Sequence, residues 1–535
     1  MSNNFNYKAM NFLRLFCFAT ILFSNHFVFS QEIEKFALEG RQPAHIYSDG
    51  NTHYFNTTES IPLIEMVSDG KLVKSIEVWK ERGEQNLYAI FYKDGILNVV
   101  IGDNQSGQHL IRIDKYNLQL EKFDSEEIYS EKANNKSNNF ENCHYSVSGI
   151  IFINSIEYVK HIKIRSLHYS FKENATALYS ISFPTINGLT INDIDIDDNL
   201  NISILYQSYL PIYSSEPSSL INSRASKNPQ AIEAFAVVSS YDFGIMFKKL
   251  TKEGDVYNRS FAACFSKRKL LISNLVFDKQ TNILSAYTIK TYEIENDLEV
   301  VNNIMITHKE FVTESAWGPF LKENIKKTNK YNNTNKPKKR TKLARFCDLA
   351  IFDVNIDEEG FLLLKIIEMT LMDGGSYYPT DFNCSNCATF YYRPQLLQID
   401  LNSRKINWWN VIIGYASMSS VGEIKLAKET KNEYFFFLES LLYSSFDADN
   451  NFMYPKNIST FALGTRGGRV YSTMMISKKT GACRIKAVKT PDGDFLKAKY
   501  NSDFSFKDGE NYYIVLNRVH HVKKFKDVVL YKYKL

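Results

Sequence analysis

Apolar and polar side chains alternate with a period of two along most of this 535-residue chain, and polar, charged or Gly/Asn turns interrupt the alternation at short intervals. Amphipathic helical periodicity is almost absent. One strand–turn–strand pattern recurs at 76–92 (IEVWKERGEQNLYAIFY), 193–206 (DIDIDDNLNISILY), 275–288 (LVFDKQTNILSAYT), 353–366 (DVNIDEEGFLLLKI), 423–438 (EIKLAKETKNEYFFFL) and 503–516 (DFSFKDGENYYIVL). Each copy sets apolar side chains on one face, turns, and continues as a more apolar strand, as a strand entering a buried sheet does. A second set of hairpins alternates with the first, at 109–123, 177–191, 243–261, 395–409 and 470–486.

Two hairpins make a four-stranded unit. Units recurring at roughly 65 to 80 residues predict the blades of an all-β propeller, because a lone blade cannot bury both faces until neighbours stack on it. Six clear inner hairpins and a blurred one at 145–166 predict seven blades, with six or eight as the alternatives. Two or three β-sandwiches would use the same strands. The closing run VVLYKYKL (528–535) is expected to pair with an N-terminal strand, which removes an open sheet edge.

Two stretches break the cadence. Residues 124–142 and 322–345 are polar, charged and aperiodic, and read as surface insertions or disorder in a single domain spanning 31–535. Residues 1–30 differ again: Lys8 and Arg14 flank an apolar run from Leu15 to Phe23, and Val28-Phe29-Ser30 offers a processing site before Gln31. This is the pattern of a secretory signal, and Ser24, Asn25 and His26 end the apolar run short of the roughly 20 residues a transmembrane anchor needs. The expected address is therefore extracellular, or periplasmic in a bacterium. Removal of the segment leaves 62 Lys and Arg against 59 Asp and Glu, a net +3. Near-neutrality argues against a chain built as a whole to neutralise nucleic-acid phosphates.

Cysteine use fits export. Six cysteines follow the signal, at 143, 264, 347, 384, 387 and 483, too sparse to replace a core but suited to fastening loops. Cys384 and Cys387 have CxxC spacing, but a strand-like run follows where a redox pair would open a helix, and no second Cys or His pair completes a zinc site. A disulfide within or from this loop is the expectation. Lys336, Lys338, Lys339 and Arg340 head a basic loop that reads first as solvated and second as a polyanion patch.

Asp193, Asp195 and Asp197 alternate with isoleucines and share one strand face. They read as solvated, since the Gly and terminal Glu of a calcium loop are missing. Ser240-Tyr-Asp-Phe-Gly244 resembles a single sialidase-type Asp-box, a turn motif without catalytic residues. His520 and His521 are adjacent and would face opposite sides of a strand. Sequons at Asn56, Asn104, Asn135, Asn174, Asn258 and Asn457 mark glycan candidates if the source is eukaryotic. No HExxH, GxSxG, phosphate-binding or dinucleotide motif occurs.

Cys347-Asp348, the run Asn355-Ile-Asp-Glu-Glu-Gly-Phe-Leu-Leu-Leu364, the cysteines at 384 and 387, and Arg393-Pro-Gln-Leu-Leu-Gln-Ile-Asp-Leu401 resemble the blade signature of secreted Yellow and major royal jelly proteins. The signature's Trp and Asp are absent here, and Glu359 stands where that family often has Cys. The resemblance implies a secreted propeller, a disulfide from Cys347 to Cys384 or Cys387, and a small-molecule pocket at the channel mouth.

These observations together predict a secreted, non-catalytic propeller that binds a protein, glycan or small ligand through its loop face or channel mouth. It is expected to be monomeric, with no cofactor and no membrane anchor. The alternatives are a secreted propeller hydrolase or lyase and a structural extracellular component. Intact-mass analysis of the exported protein is expected to give a chain beginning at Gln31; a mass that retains residues 1–30 overturns the signal assignment.

Overall fold

The computed structural model describes strand-bearing segments between Gln31 and Lys534; residues 1–30 lie outside the description, as do several internal segments, the longest being 209–232, 308–347, 374–386 and 453–468. Four-stranded antiparallel sheets account for the described elements. β1 (Gln31–Leu38) opens the chain and belongs to the last sheet. Blade 1 comprises β2 (Arg41–Asp49), β3 (Thr52–Thr58), β4 (Pro62–Ser68) and β5 (Lys71–Glu77). Blade 2 comprises β6 (Gln85–Lys93), β7 (Ile96–Gln105), β8 (Gln108–Tyr116) and β9 (Lys122–Lys132). Blade 3 comprises β10 (Asn142–Ser146), β11 (Gly149–Glu157), β12 (His161–Ser170) and β13 (Ala175–Pro184). Blade 4 comprises β14 (Leu189–Ile196), β15 (Asn201–Ser208), β16 (Glu233–Ser240) and β17 (Gly244–Lys249).

Blade 5 comprises β18 (Asn258–Ser266), β19 (Lys269–Phe277), β20 (Leu284–Glu293) and β21 (Glu299–Thr307). Blade 6 comprises β22 (Asp348–Ile356), β23 (Leu362–Asp373), β24 (Cys387–Asp400) and β25 (Lys405–Val411), with β26 (Ala416–Ser417) beside β24. Blade 7 comprises β27 (Ile424–Glu429), β28 (Glu433–Leu442), β29 (Arg469–Ser477) and β30 (Cys483–Ala487), with β31 (Lys497–Ala498) beside β29. Blade 8 comprises β32 (Phe504–Asp508), β33 (Asn511–Val519) and β34 (Lys526–Lys534), and β1 supplies its fourth strand. The first and last strands of the chain thus pair, Gln31 against Tyr533 through Leu38 against Lys526, as the closing run predicts.

All-β architecture and repeated four-stranded blades are as the alternation predicts; the described strands fall into eight sheets, one of the alternatives to seven. The uncounted sheet is blade 1. Its strand β2 carries Pro43 and register shifts at Arg41/Ala44 and His45/Tyr47, which scramble the period of two. Three expected hairpins also resolve differently. The runs at 76–92, 177–191 and 243–261 each join the end of one sheet to the start of the next, so their two strands do not pair with each other. The expected insertion at 124–142 is, over 124–132, most of β9, a strand whose side chains are nearly all exposed or half-buried. On a solvated fourth strand, alternation of apolar and polar residues is not required, and the signal vanishes.

The described residues form two compact units: blades 8 and 1 lie mainly in the first, which takes in both ends of the chain, and blades 2–7 in the second. Within each, the core lies between sheets. Phe91, Val100 and Ile111 of blade 2 pack on Ile150, Phe152 and Leu167 of blade 3, and Leu362, Leu364 and Trp409 of blade 6 pack on Ala262, Leu271 and Tyr287 of blade 5. In the first unit Phe36, Leu38 and Tyr513 meet Phe55 and Val67. Each fully buried aliphatic or aromatic side chain contributes about 1.5–3 kcal/mol by leaving water.

A shared turn fixes several hairpins. The side chains of Asn117, Asp197 and Asp357 accept backbone N–H bonds from residues two and four ahead (2.8–3.0 Å). Their turns place Leu120, Leu200 and Gly360 at positive φ. A leucine there is strained, and burial of Leu120 and Leu200 offsets the strain. Leu200 reaches into the neighbouring blade beside Gly149, where a Cβ would stand 2.0 Å from the Tyr169 carbonyl and 2.9 Å from Leu200 Cδ2. Gly149→Ala is therefore expected to cost about 3 kcal/mol of stability. Gly95→Ala, at φ 84° with nothing within 4 Å, is expected to cost about 1 kcal/mol. Thermal midpoints of the two variants check the order.

Candidate functional site

The first strands β14, β18 and β22 of blades 4, 5 and 6 lie side by side. Asp193 and Asp195, two residues apart on β14, project the same way. Their Oδ2 atoms accept the backbone N–H groups of Ala263 and Phe265 of β18, each at 2.8 Å. As an edge strand, β18 has alternate N–H groups turned away from β19, and the two carboxylates satisfy those groups. Asp353 of β22 stands nearby, ion-paired to the buried Lys365 and bonded by Asn355 Nδ2 at 3.0 Å. Burial above all, with a push from the Asp353 charge, raises Asp193 and Asp195 to about 6.

A carboxylic acid in that range suits general acid chemistry. Here both groups are committed to the β18 backbone. The solvated strand face expected of Asp193 and Asp195 is thus corrected: the neighbouring blade covers them, which nothing local in the sequence reports. Asp197 caps its own turn instead, its Oδ1 accepting N–H bonds from Asn199 and Asn201. Among the described residues, no three His, Cys, Asp or Glu groups are placed to hold a metal ion.

Blades 2 and 3 share a second polar network. Arg165 of β12, almost fully buried, meets Glu131 Oε2 at 2.5 Å and the Tyr129 hydroxyl at 3.2 Å, and lies 5.5 Å from the Phe140 ring centre. His109, fully buried, bonds through Nδ1 to Asn104 Oδ1 at 2.7 Å. Arg112 bridges Asp103 and Asp114, each at 3.2 Å. Every charge in this group faces an opposite one, the condition under which charges tolerate burial. Farther along, the buried His168 Nε2 lies 2.7 Å from Ser239 Oγ, which in turn lies 2.6 Å from Ser166 Oγ.

A different arrangement occupies the end of blades 2 and 3 that carries the short turns β6–β7, β10–β11 and β12–β13. Tyr145 and Val147 stand out from it, 51% and 69% exposed. The Tyr145 ring stacks on the buried Phe91 (centroids 4.8 Å, 18° between planes), and Phe91 also lies 5.8 Å from Phe171. Lys93 Nζ sits 4.0 Å over the Phe171 ring and donates to the Val147 carbonyl at 2.8 Å. Exposed apolar side chains are thus held on a supported platform. The platform was not singled out from the sequence; the available signal was an apolar Val147 at a turn tip otherwise built of Ser146, Ser148 and Gly149.

The residues singled out from sequence do not converge. Cys347, Cys384, the basic residues Lys336, Lys338, Lys339 and Arg340, and the pair His520–His521 lie outside the described residues. Cys387 begins β24. Cys143 and Cys264 are thiols outside any disulfide, and burial pushes both thiol pKa values up, the condition of an unreactive cysteine. The Asp-box-like run forms the β16–β17 turn, with Gly244 at φ 81° and Tyr241 Oη donating to Glu173 at 2.8 Å. Of the sequons, Asn174 lies exposed in the β12–β13 turn, whereas Asn104 serves His109.

No family model matches the chain, and no curated protein matches it. Solved structures similar to it include the WD40 domain of SCAP from fission yeast, 9% identical over 94% of this chain and 98% of that one, at a TM-score of 0.36. The Nup133 β-propeller domain from Vanderwaltozyma polyspora is 10% identical over 84% and 100%, at 0.33. The phage phi92 endosialidase is 8% identical over 92% and 78%, at 0.27. Among the described residues no helix is long and apolar enough to cross a membrane.

Buried titratable groups set opposing pH dependences. Asp193 and Asp195 hold protons in the folded chain that an unfolded carboxyl (3.8) has released, so their contribution to stability falls as pH rises from about 4 to about 6. Asp193→Asn with Asp195→Asn keeps an acceptor without the charge; the thermal midpoint is expected to rise at pH 7 and its dependence between pH 4 and 6 to flatten. Burial drives His168 down to about 4 from 6.5, so its contribution is lost as pH falls from about 6.5 to 4. His168→Gln is expected to flatten that limb, measured by thermal melts across pH 3.5–7.5.

Proposed function

We propose that this chain is an exported, non-catalytic β-propeller that binds a protein partner through the turn face of blades 2 and 3. The observation that carries the reading is the platform of Tyr145 and Val147, exposed yet held by Phe91, Phe171 and Lys93. Apolar groups left in water at fixed positions are what a protein interface later buries, and tyrosines held in place beforehand are favoured anchors because little rotamer freedom is lost on binding. The ionisable groups that come together elsewhere support the non-catalytic part. Asp193, Asp195, Asp353 and Arg165 are each bonded to a strand or to an opposite charge.

A photo-crosslinking residue at position 147 of the exported protein is expected to capture one discrete protein. The same residue at position 479, an exposed turn position in blade 7, is expected not to. Tyr145→Ala is expected to cut the yield about tenfold. Equal labelling from both positions, or none from 147, overturns the proposal.

A further inference from the structure

Fourth strands are the edges at which a sheet accepts another strand, and this chain protects them unevenly. β1 carries Glu32, Glu34 and Lys35; β5 carries Lys74; β9 carries Asp124, Glu126, Glu127 and Glu131; β17 carries Lys248; β30 carries Arg484 and Lys486. Charges inside an edge strand oppose pairing with another chain. Three fourth strands lack them over all or most of their length: β13, β21 past Glu299, and β25 past Lys405. Neighbours deal with two of these. β13 lies against β9 and β17. From β25, Trp408 Nε1 donates to the Lys478 carbonyl and Asn410 Nδ2 to the Gly481 carbonyl of blade 7, each at 2.9 Å.

β21 is the exception. It ends its sheet, with β20 as its strand partner among the described residues, and from Val300 to Thr307 it has no charged side chain. It also exposes more large apolar side chains than any other described strand: Val300 at 42%, Val301 at 45% and Met305 at 61%. The register shift opposite Thr291/Tyr292 turns both valines outward.

We infer that β21 is a self-pairing edge: two copies of this chain join antiparallel along β21, about a two-fold axis at Asn303, making one continuous sheet of the two fifth blades. The pattern is self-complementary about that axis. Val301 falls opposite the partner's Met305, Met305 opposite the partner's Val301, and Asn303 opposite the partner's Asn303, where two carboxamides can bond each other. No like charges meet, and the same patch serves both subunits, as a closed two-fold interface requires. A single strand pair buries little area, so the dimer is reversible and depends on concentration. This interface is separate from the turn-face platform.

Sedimentation velocity of the full exported chain tests the inference. The wild type is expected to shift from monomer to dimer with rising concentration. Val301→Lys with Met305→Lys is expected to remain monomeric throughout with an unchanged thermal midpoint, and Tyr145→Ala to dimerise as the wild type does. Asn303→Cys is expected to give a disulfide-linked dimer on oxidation. A wild type that stays monomeric to about 200 µM, or a dimer that survives the two lysines, overturns it.

Discussion

Within blades 2–7 adjoining sheets bury their apolar faces against one another, and the close fits and buried charges of the structure follow from that stacking. Blade 3 illustrates it: Ile150, Phe152 and Leu167 pack toward blade 2, whereas Ile151, Ile153 and Ile164 pack toward blade 4. Its strand β11 is apolar on both faces for this reason. The close fit at Gly149, where Leu200 of the next blade enters, is a local consequence of the same stacking. Pairing of β1 with β34 follows the same logic at the chain ends, since an unpaired final sheet would lack a fourth strand.

Burial of ionisable groups is the second consequence. Where first strands lie side by side, β18 has backbone donors that no strand can reach, and Asp193 and Asp195 supply acceptors from the neighbouring blade. The arrangement raises their pKa values because the covering blade removes much of their hydration, and it is tolerated because the Oδ2 atom of each has a backbone donor. Arg165 and Glu131 solve a similar problem between blades 2 and 3. These networks resemble catalytic constellations in composition while serving the joints between sheets. The supported Tyr145 platform and the uncharged β21 edge differ from them in kind, because their unburied surface is apolar.

Legibility in the sequence followed the range of the interaction responsible. The turns after Asp197 and Asp357 were legible as turns, because polar residues interrupt the apolar alternation there; the capping by Asp197 was not, since its spacing from Asp193 and Asp195 is equally that of one strand face. Strand β9 was not, because a solvated strand held by ion pairs such as Lys115 with Asp124 and Glu126 needs no apolar alternation. Blade 1 escaped because bulges in β2 shift the phase of its side chains. Of the candidate site, Asp193 and Asp195 were visible as a pair, but their burial was not, because the covering strand lies about 70 residues later.

Local patterning is enough to predict that this chain is built of strands, that the strands come in four-stranded repeats, and that its last strand returns to its first. Side-chain periodicity and turn chemistry act over a few residues, and the repeat is written many times. Packing between blades settled which of the strand–turn–strand runs close on themselves and which do not. The runs at 76–92, 177–191 and 243–261 look like hairpins and instead cross from sheet to sheet. A strand, a polar turn and a strand give the same local pattern in both cases. What separates them is whether the second strand finds its hydrogen-bonding partner beside the first or in the next blade, and that choice is made by packing between residues far apart in the chain.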